Sequence, residues 1–159
     1  IYLTGAWEFF WDKHIISENL IDAQPDMYVQ IPSSWSTYKF SEAITATGGI
    51  ASYRTYLKNI NSSQPIIISV PNLSGLCRVF IDGECVFSSR TLPNGSYTVN
   101  NAIRYSQPFS VTKSNNDIYE VVVEVECSYS SGLTSIPVLN TYSHFQSHQT
   151  TALAVRYLS

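Results

Sequence analysis

Aromatic side chains and arginines are the residues best placed for chemistry in this sequence, and that chemistry is noncovalent recognition. Arg54 and Tyr56 lie two positions apart in an alternating segment, so both point to the same strand face. A guanidinium presents a rigid fork of donors that suits carboxylates and vicinal hydroxyls, and its stem can lie on an aromatic ring. Trp35 lies in a segment without alternation, and Arg104 and Tyr105 follow two asparagines in a predicted loop. The candidate ligand-binding residues are Trp35, Arg54, Tyr56, Arg104 and Tyr105.

The leading candidates also have structural interpretations. Trp35 is either a ligand contact or a hydrophobic plug between two sheets. Arg54 is either a ligand contact or the cross-strand partner of a glutamate in the segment 119–127. Both interpretations stay open at the level of sequence.

A catalytic site is not predicted. Hydrolytic or transfer chemistry needs a nucleophile with its base, or a supported pair of carboxylates. The sequence has no G-x-S-x-G elbow, no H-E-x-x-H and no phosphate-binding loop. Glu8 and Asp12 are the closely spaced carboxylates near aromatic residues, and we expect both at the surface. We therefore predict a protein that is not an enzyme and needs no cofactor.

Cysteine and histidine spacing predicts no metal site. Cys77, Cys85 and Cys127 contain no C-x-x-C pair, and alternation turns Cys77 and Cys127 inward as buried free thiols. Whether Cys127 forms a disulfide stays open. His144 and His148 are spaced i, i+4, which on a helix would suit a metal, but no third ligand lies nearby. We expect these histidines to be solvated.

Composition indicates a single β-rich domain without a nucleic-acid-binding surface or a membrane-spanning helix. The 159 residues suffice for one domain with a core of its own. Charged residues make up only 13% of the chain, about half the usual ~25%, while tyrosine occurs eleven times. The net charge is −3, and the nine lysines and arginines are scattered, which argues against a phosphate-binding surface. No apolar run reaches the ~18–20 residues of a membrane-spanning helix.

Period-two alternation predicts the strands that position these residues. Trp7, Phe9 and Trp11 share one face, which is typical of core packing, with stacking on a sugar ring as the alternative. The apolar run 66–70 reads as a fully buried strand. In the segment 119–127, the residues predicted to point inward are Tyr119, Val121, Val123, Val125 and Cys127, and those predicted to point outward are Glu120, Glu124 and Glu126.

The clearest hairpin surrounds Asp82-Gly83. Asp-Gly between β-rich runs predicts a type I′ turn, whose two central residues both take positive φ. The predicted pairs are Ile81 with Glu84 and Phe80 with Cys85. Cys77 and Cys85 then face opposite sides of the sheet, so we expect no bridge between them. Helix is scarce, and the one candidate runs from Tyr142 to Leu158.

Four segments in order carry a family resemblance: Gly5-x-Trp7-Glu8-Phe9, Ile31-Pro32-Ser33-Ser34-Trp35, Gly49–Arg54 and Val79–Gly83. Together they resemble the galactose-binding-like jelly roll at the N-terminus of family 2 glycoside hydrolases. They resemble more closely the related ectodomain of bacterial transmembrane receptors with diverse intracellular signalling modules. The tail, with Val121–Cys127, Ile136–Leu139 and then Tyr142–Leu158, is similar to the part of that ectodomain before its first membrane helix.

The resemblance implies an all-β, galactose-binding-like jelly-roll β-sandwich over residues 1–141, with a short C-terminal helix. Residues 142–159 would be an exit segment toward a membrane helix of a larger parent protein. The implied function is a sensor at the extracytoplasmic face of a bacterial membrane that recognises a carbohydrate or similar small polar ligand. Ligand binding would shift the population of arrangements between the domain and its exit segment.

Two other functions are consistent with the same residues. One is the non-catalytic sugar-binding domain of a glycoside hydrolase, and the other is a ligand-free module through which receptors form homodimers. A hydrophobic segment after Ser159 in the parent gene would indicate the receptor, and a long barrel-forming sequence would indicate the hydrolase. Blank glycan arrays together with self-association would indicate the dimerisation module.

Overall fold

Two antiparallel sheets pack against one hydrophobic core in the computed structural model, which describes residues 1–38, 48–58, 60, 64–70, 75–89, 104–106, 108–110, 118–127 and 132–147. The strands are β1 (Gly5–Trp11), β2 (Met27–Ile31), β3 (Gly49–Lys58), β4 (Ile66–Val70), β5 (Gly75–Ile81), β6 (Glu84–Ser88), β7 (Arg104–Tyr105), β8 (Ile118–Cys127) and β9 (Val138–Thr141). The larger sheet has the order β2-β1-β3-β8-β5-β6, and the smaller one β7-β4-β9. The predicted all-β fold is confirmed.

The core between the sheets follows from the alternation of the strands. Trp7 and Phe9 of β1 are buried with Tyr53 of β3, while Ile66 and Ile68 come from β4 of the smaller sheet. Each inward residue is followed by one on the outer face, because the side-chain period of a strand is two. The prediction that Trp7 and Phe9 belong to the core is confirmed, and Trp11 packs at its margin.

The long pair β3–β8 sets the register of the larger sheet. It runs without a break from Gly49 opposite Cys127 to Lys58 opposite Ile118. Tyr53 therefore faces the core opposite Val123, and Arg54 faces outward opposite Val122. A slip of one residue would exchange these faces, so burial of one side fixes the register.

The β5–β6 hairpin has the predicted turn. Asp82 has φ of 49° and Gly83 has φ of 80°, as a type I′ turn requires. The predicted pairs of Ile81 with Glu84 and Phe80 with Cys85 are both present, and a bulge then shifts the register between Val79 and Phe80. All three cysteines are free, with Cys77 and Cys127 buried and Cys85 exposed. The absence of a bridge between Cys77 and Cys85 is confirmed.

Replacing Gly83 with valine is expected to destabilise the domain by about 1–3 kcal/mol, because a β-branched residue resists positive φ. A Cβ at Gly83 would meet no heavy atom within 4 Å, so the cost would come from the backbone alone. Comparing urea unfolding of Gly83→Val with that of Gly83→Asn separates backbone strain from the effect of adding a side chain, because asparagine tolerates this φ. Equal losses in the two variants would contradict a purely conformational cost.

The outer face of the larger sheet differs from the prediction at Glu124. Residues 12–26 connect β1 to β2 and cover part of this face, where Phe10, Ile15, Phe80 and Val122 form a second core cluster. Glu124 points to this outer face, as predicted, but its side chain is fully buried under this segment instead of reaching solvent. Alternation in β8 predicts the face of the sheet and does not reveal a covering segment.

Buried Glu124 is the anchor of the covering segment. Its Oε1 accepts hydrogen bonds from the backbone N–H groups of Ile16 (2.8 Å) and Ser17 (2.9 Å), and its Oε2 accepts from the Ser17 hydroxyl (2.5 Å). Arg78 Nε lies 3.4 Å from Oε2 and supplies a compensating charge. These contacts tie residues 14–17 to β5 and β8.

His14 completes this buried network. Arg78 Nη2 lies 3.1 Å from His14 Nδ1, and His14 Nε2 lies 3.2 Å from the Val125 carbonyl oxygen. A guanidinium can only donate and a carbonyl can only accept. Both contacts therefore fit an imidazole whose Nδ1 accepts from Arg78 and whose Nε2–H donates to Val125.

The predicted C-terminal helix starts where expected. Strand β9 ends at Thr141, and residues 142–147 are helical. Residues 148–158 of the prediction, His148 among them, lie outside the described residues, whereas His144 is exposed as expected. The division into 1–141 and 142–159 stays a prediction. Within the described ranges, no helix has the length and apolar character that crossing a membrane requires.

Candidate functional site

Trp35 lies in the hydrophobic core. It opens the 3₁₀ helix Trp35–Thr37, whose N-cap Ser34 accepts a hydrogen bond from the Ser36 N–H through its side chain. The Trp35 side chain is fully buried, packs edge-on against Trp11 at 4.9 Å between ring centroids, and donates from Nε1 to the Tyr53 hydroxyl at 2.7 Å. With no exposed ring face, Trp35 has the position expected of a hydrophobic plug.

The phenol that receives this hydrogen bond is itself deeply buried. Burial raises the pKa of Tyr53 well above its usual range, and the neighbouring Tyr38 raises it further. Tyr53 therefore stays protonated at neutral pH. Its hydroxyl also lies 3.4 Å from the backbone nitrogen of Leu133, so a single phenol links Trp35 to β3 and the segment before β9.

Arg54 pairs across the strands, but its hydrogen-bonded partner is Glu8 of β1, and the predicted kind of partner, Glu120 of β8, is more distant. Its Nε donates to Glu8 Oε2 on β1 at 2.5 Å, and Nη1 lies 3.9 Å from Glu120 Oε2 on β8. Nη1 also donates to the Ile21 carbonyl at 3.1 Å, which holds the covering segment. The guanidinium carbon stands 4.9 Å from the Phe10 ring centroid. Only 8% of Arg54 is exposed.

Tyr56 is a predicted candidate that does reach solvent, with 46% of its surface exposed. The Arg54 guanidinium lies 5.8 Å from the centre of the Tyr56 ring, and Glu120 lies directly opposite Tyr56 on β8. Partial burial raises the Tyr56 pKa; the carboxylates of Glu8 and Glu120 also raise it, while Arg54 opposes them. The phenol therefore keeps its proton at neutral pH.

Tyr28 is the site residue that the sequence analysis missed. It lies in β2 opposite Glu8 and is 65% exposed, because its neighbour Val29 points into the core. The signal was available, since Met27–Ile31 alternates as a strand with Val29 and Ile31 inward. The strand is only five residues long and was not assigned.

These residues form one surface, which we call the open platform: Glu8, Tyr28, Arg54, Tyr56 and Glu120. The register aligns Tyr28, Glu8 and Arg54 across three adjacent strands, and Tyr56 follows Arg54 by two residues. With strands ~4.8 Å apart and ~3.4 Å per residue, the Cα atoms of Tyr28 and Tyr56 are about 12 Å apart. Two exposed tyrosine rings thus lie beside a strip of ion-paired side chains, which consists of Glu8, Arg54 and Glu120.

The structure does not bring Arg104 and Tyr105 to this platform. They were predicted to lie in a loop, but their backbones form β7, because they pair with Val70 and Ser69 of β4. Strand β7 belongs to the smaller sheet, whereas the platform is on the outer face of the larger one. The five candidates therefore divide into a platform pair, a core residue and a strand in the other sheet.

Two open clefts lie beside β6. One, of about 600 Å³, is lined by Phe87, Ser88, Ser106, Tyr142 and Phe145, and the other, of about 590 Å³, by Asp82, Glu84 and Phe109 among others. Exposed Cys85 lines both. These volumes suit small ligands, but Trp35, Arg54 and Tyr56 line neither cleft. No group of three or more His, Cys, Asp or Glu side chains in the described part of the chain could hold a metal ion.

The chain is similar in structure to solved β-glucuronidases of Ruminococcus gnavus. One, in complex with an N1-substituted uronic isofagomine, matches with a TM-score of 0.67 and 16% identity over 89% of this chain and 29% of that chain. Another, described as the crystal structure of the enzyme, matches with a TM-score of 0.65 and 15% identity over 89% of this chain and 28% of that chain. This likeness establishes the fold.

The galactose-binding-like relation agrees with these neighbours. The chain spans less than a third of the length of the enzymes it matches. No protein-family model and no curated protein sequence matches the chain.

The platform suits a ligand that has both an apolar face and hydroxyl groups. The tyrosine rings offer surfaces for C–H groups, and the partly exposed Glu8 and Glu120 carboxylates can accept from hydroxyls.

Proposed function

We propose that the chain is a non-catalytic domain that binds a saccharide on the open platform. The observation that carries the proposal is the pair of exposed tyrosines, Tyr28 and Tyr56, on one sheet face beside fixed polar groups. Saccharide recognition needs an apolar surface for ring C–H groups and a few directed polar partners for hydroxyls. The platform supplies both, and the structural likeness to glycoside hydrolase chains supports the same class of ligand.

The described carboxylates support a binding role over catalysis. A glycosidase needs an acid and a second carboxylate on either side of the bond to be cleaved. Both carboxylates of the platform lie beside the same cation, with Glu8 Oε2 at 2.5 Å from Arg54 Nε and Glu120 Oε2 at 3.9 Å from Arg54 Nη1. We therefore propose that the domain delivers a ligand or reports its presence without transforming it.

For the parent protein we propose the extracytoplasmic sensor of a bacterial membrane receptor, with the accessory domain of a glycoside hydrolase as the second candidate. The helical residues at 142–147, directly after β9, support the receptor, because they begin the proposed exit segment. The β-glucuronidase neighbours support the hydrolase. Membrane anchoring through the parent and homodimerisation stay predictions, and the parent gene beyond Ser159 would decide between the two.

Replacing Tyr28 or Tyr56 with alanine is expected to weaken saccharide binding about tenfold each, equivalent to ~1.4 kcal/mol. The reason is the loss of an exposed ring face that contacts the ligand directly. Affinity electrophoresis through gels that contain soluble neutral polysaccharides provides the measurement. Tyr2→Ala is the matched control, since Tyr2 is 70% exposed and not part of the platform.

The platform would be rejected if both variants stay folded and migrate as wild type in gels that retard the wild-type domain. That result would move the site to the clefts beside β6. A domain that no polysaccharide retards and that self-associates in solution would instead support the dimerisation module.

A further inference from the structure

We propose that the open platform selects saccharides that carry no negative charge and discriminates against uronates. This inference rests on the proposed saccharide-binding function and adds the chemical class of its ligand. It follows from how the charges of the platform are arranged and from which of them a ligand can reach.

The one cation within the platform is already engaged by protein groups. Arg54 donates from Nε to Glu8 and from Nη1 to the Ile21 carbonyl, and Glu120 stands 3.9 Å from Nη1. The guanidinium also lies near the rings of Phe10 and Tyr56, and only 8% of Arg54 is exposed. A ligand carboxylate therefore has no accessible fork of donors to bind.

The groups that solvent does reach on this strip are carboxylates. The side chains of Glu8 and Glu120 are 18% and 21% exposed. Asp82 is exposed beyond Glu120, whose backbone N–H donates to Asp82 Oδ1 at 2.9 Å. Exposed Lys58 follows Tyr56 by two residues on the same strand. Counting three carboxylates against Arg54 and Lys58 leaves a net charge of −1.

These charges distinguish a neutral sugar, which carries a hydroxyl group, from a uronate that carries a carboxylate in the same place. A hydroxyl can donate to Glu8 or Glu120, because an ionised carboxylate only accepts. A uronate carboxylate in the same place would be repelled by both glutamates, and the Arg54 guanidinium, already bound by Glu8 and by the Ile21 carbonyl, could not offer it a pair of donors. Repulsion between partly exposed charges a few ångströms apart weakens binding about threefold to tenfold at low ionic strength and is screened by salt.

A matched pair of polysaccharides tests the inference. Neutral glucans and galactomannans are each compared with derivatives whose C6 hydroxymethyl groups have been oxidised to carboxylates, by affinity electrophoresis of the intact domain. We expect binding to the oxidised polymers to be at least about threefold weaker, and the difference to shrink as salt rises. Glu120→Gln should reduce the discrimination, whereas Glu126→Gln, with the same charge change at an exposed position of β8, should preserve it.

The outcomes separate the inference from the function on which it rests. Equal or tighter binding to the oxidised polymers would overturn the charge selection and leave saccharide binding intact. No retardation by either member of any pair would overturn the saccharide proposal itself. If Glu120→Gln lowers the melting temperature, Glu8→Gln provides the second test. Discrimination against the oxidised polymers that survives unchanged in both single variants, each of them folded, would contradict the inference.

Discussion

Replacing Glu124 with alanine is expected to destabilise the domain by about 3 kcal/mol, because it removes a fully buried carboxylate and leaves a partly buried cation and three donors without their acceptor. The carboxylate accepts from Ile16, from Ser17 twice, and faces Arg78 at 3.4 Å. Without it, Ile16 and Ser17 lose their attachment to β8, and the cover of the second core cluster is weakened. Urea unfolding followed by tryptophan fluorescence gives the change in free energy.

Glu126 is the matched control for this prediction. It lies two residues farther along β8 on the same face, but its side chain is exposed. Glu126→Ala should change stability by no more than about 0.5 kcal/mol, as surface substitutions usually do. Equal changes in the free energy of unfolding for the two substitutions would show that Glu124 does not hold the covering segment on the sheet.

Replacing Trp35 with alanine is expected to cost about 3–5 kcal/mol, the range for removing a large aromatic side chain from a core. The substitution removes a fully buried indole, its edge-on contact with Trp11 and its hydrogen bond to Tyr53. It also leaves the Tyr53 hydroxyl without its shortest partner. A calorimetric melting temperature well below that of wild type is the expected result.

The comparison with Tyr28→Ala decides whether Trp35 also serves a ligand. Tyr28 is exposed, so its loss should weaken binding with little effect on stability, which is the opposite pattern to that of Trp35→Ala. A Trp35→Ala variant that keeps its melting temperature but no longer binds saccharide would contradict the core role. It would return Trp35 to the ligand site.

The features that were predictable from sequence depend on neighbours along the chain. The turn at Asp82-Gly83 was predictable because positive φ at both positions is a local property, and it set the pairing of β5 with β6. The inward faces of β1 and β8 were predictable because one side of each strand must be apolar. Such rules act over a few residues and need no knowledge of the rest of the fold.

The features that were not predictable depend on contacts distant in sequence. Glu120, Glu124 and Glu126 are equivalent in the alternation of β8, yet of the three only Glu124 is fully buried. Residues 14–17 fold over Glu124, and they lie more than a hundred positions away in the sequence. The candidate site had the same limitation. Tyr28 and Tyr56 come together only when β1 pairs with both β2 and β3, so composition could suggest a binding surface without locating it.

The distribution of the cysteines makes this domain convenient for spectroscopy. Cys77 and Cys127 are buried free thiols, whereas Cys85 is exposed on β6. A maleimide fluorophore or a nitroxide should therefore attach at a single position of the unmodified sequence. Because Cys85 also lines the cleft that contains Tyr142 and Phe145, that label would sense movement of the helical residues after β9. The wild-type chain thus carries its own attachment point for following how the end of the sandwich responds to a ligand.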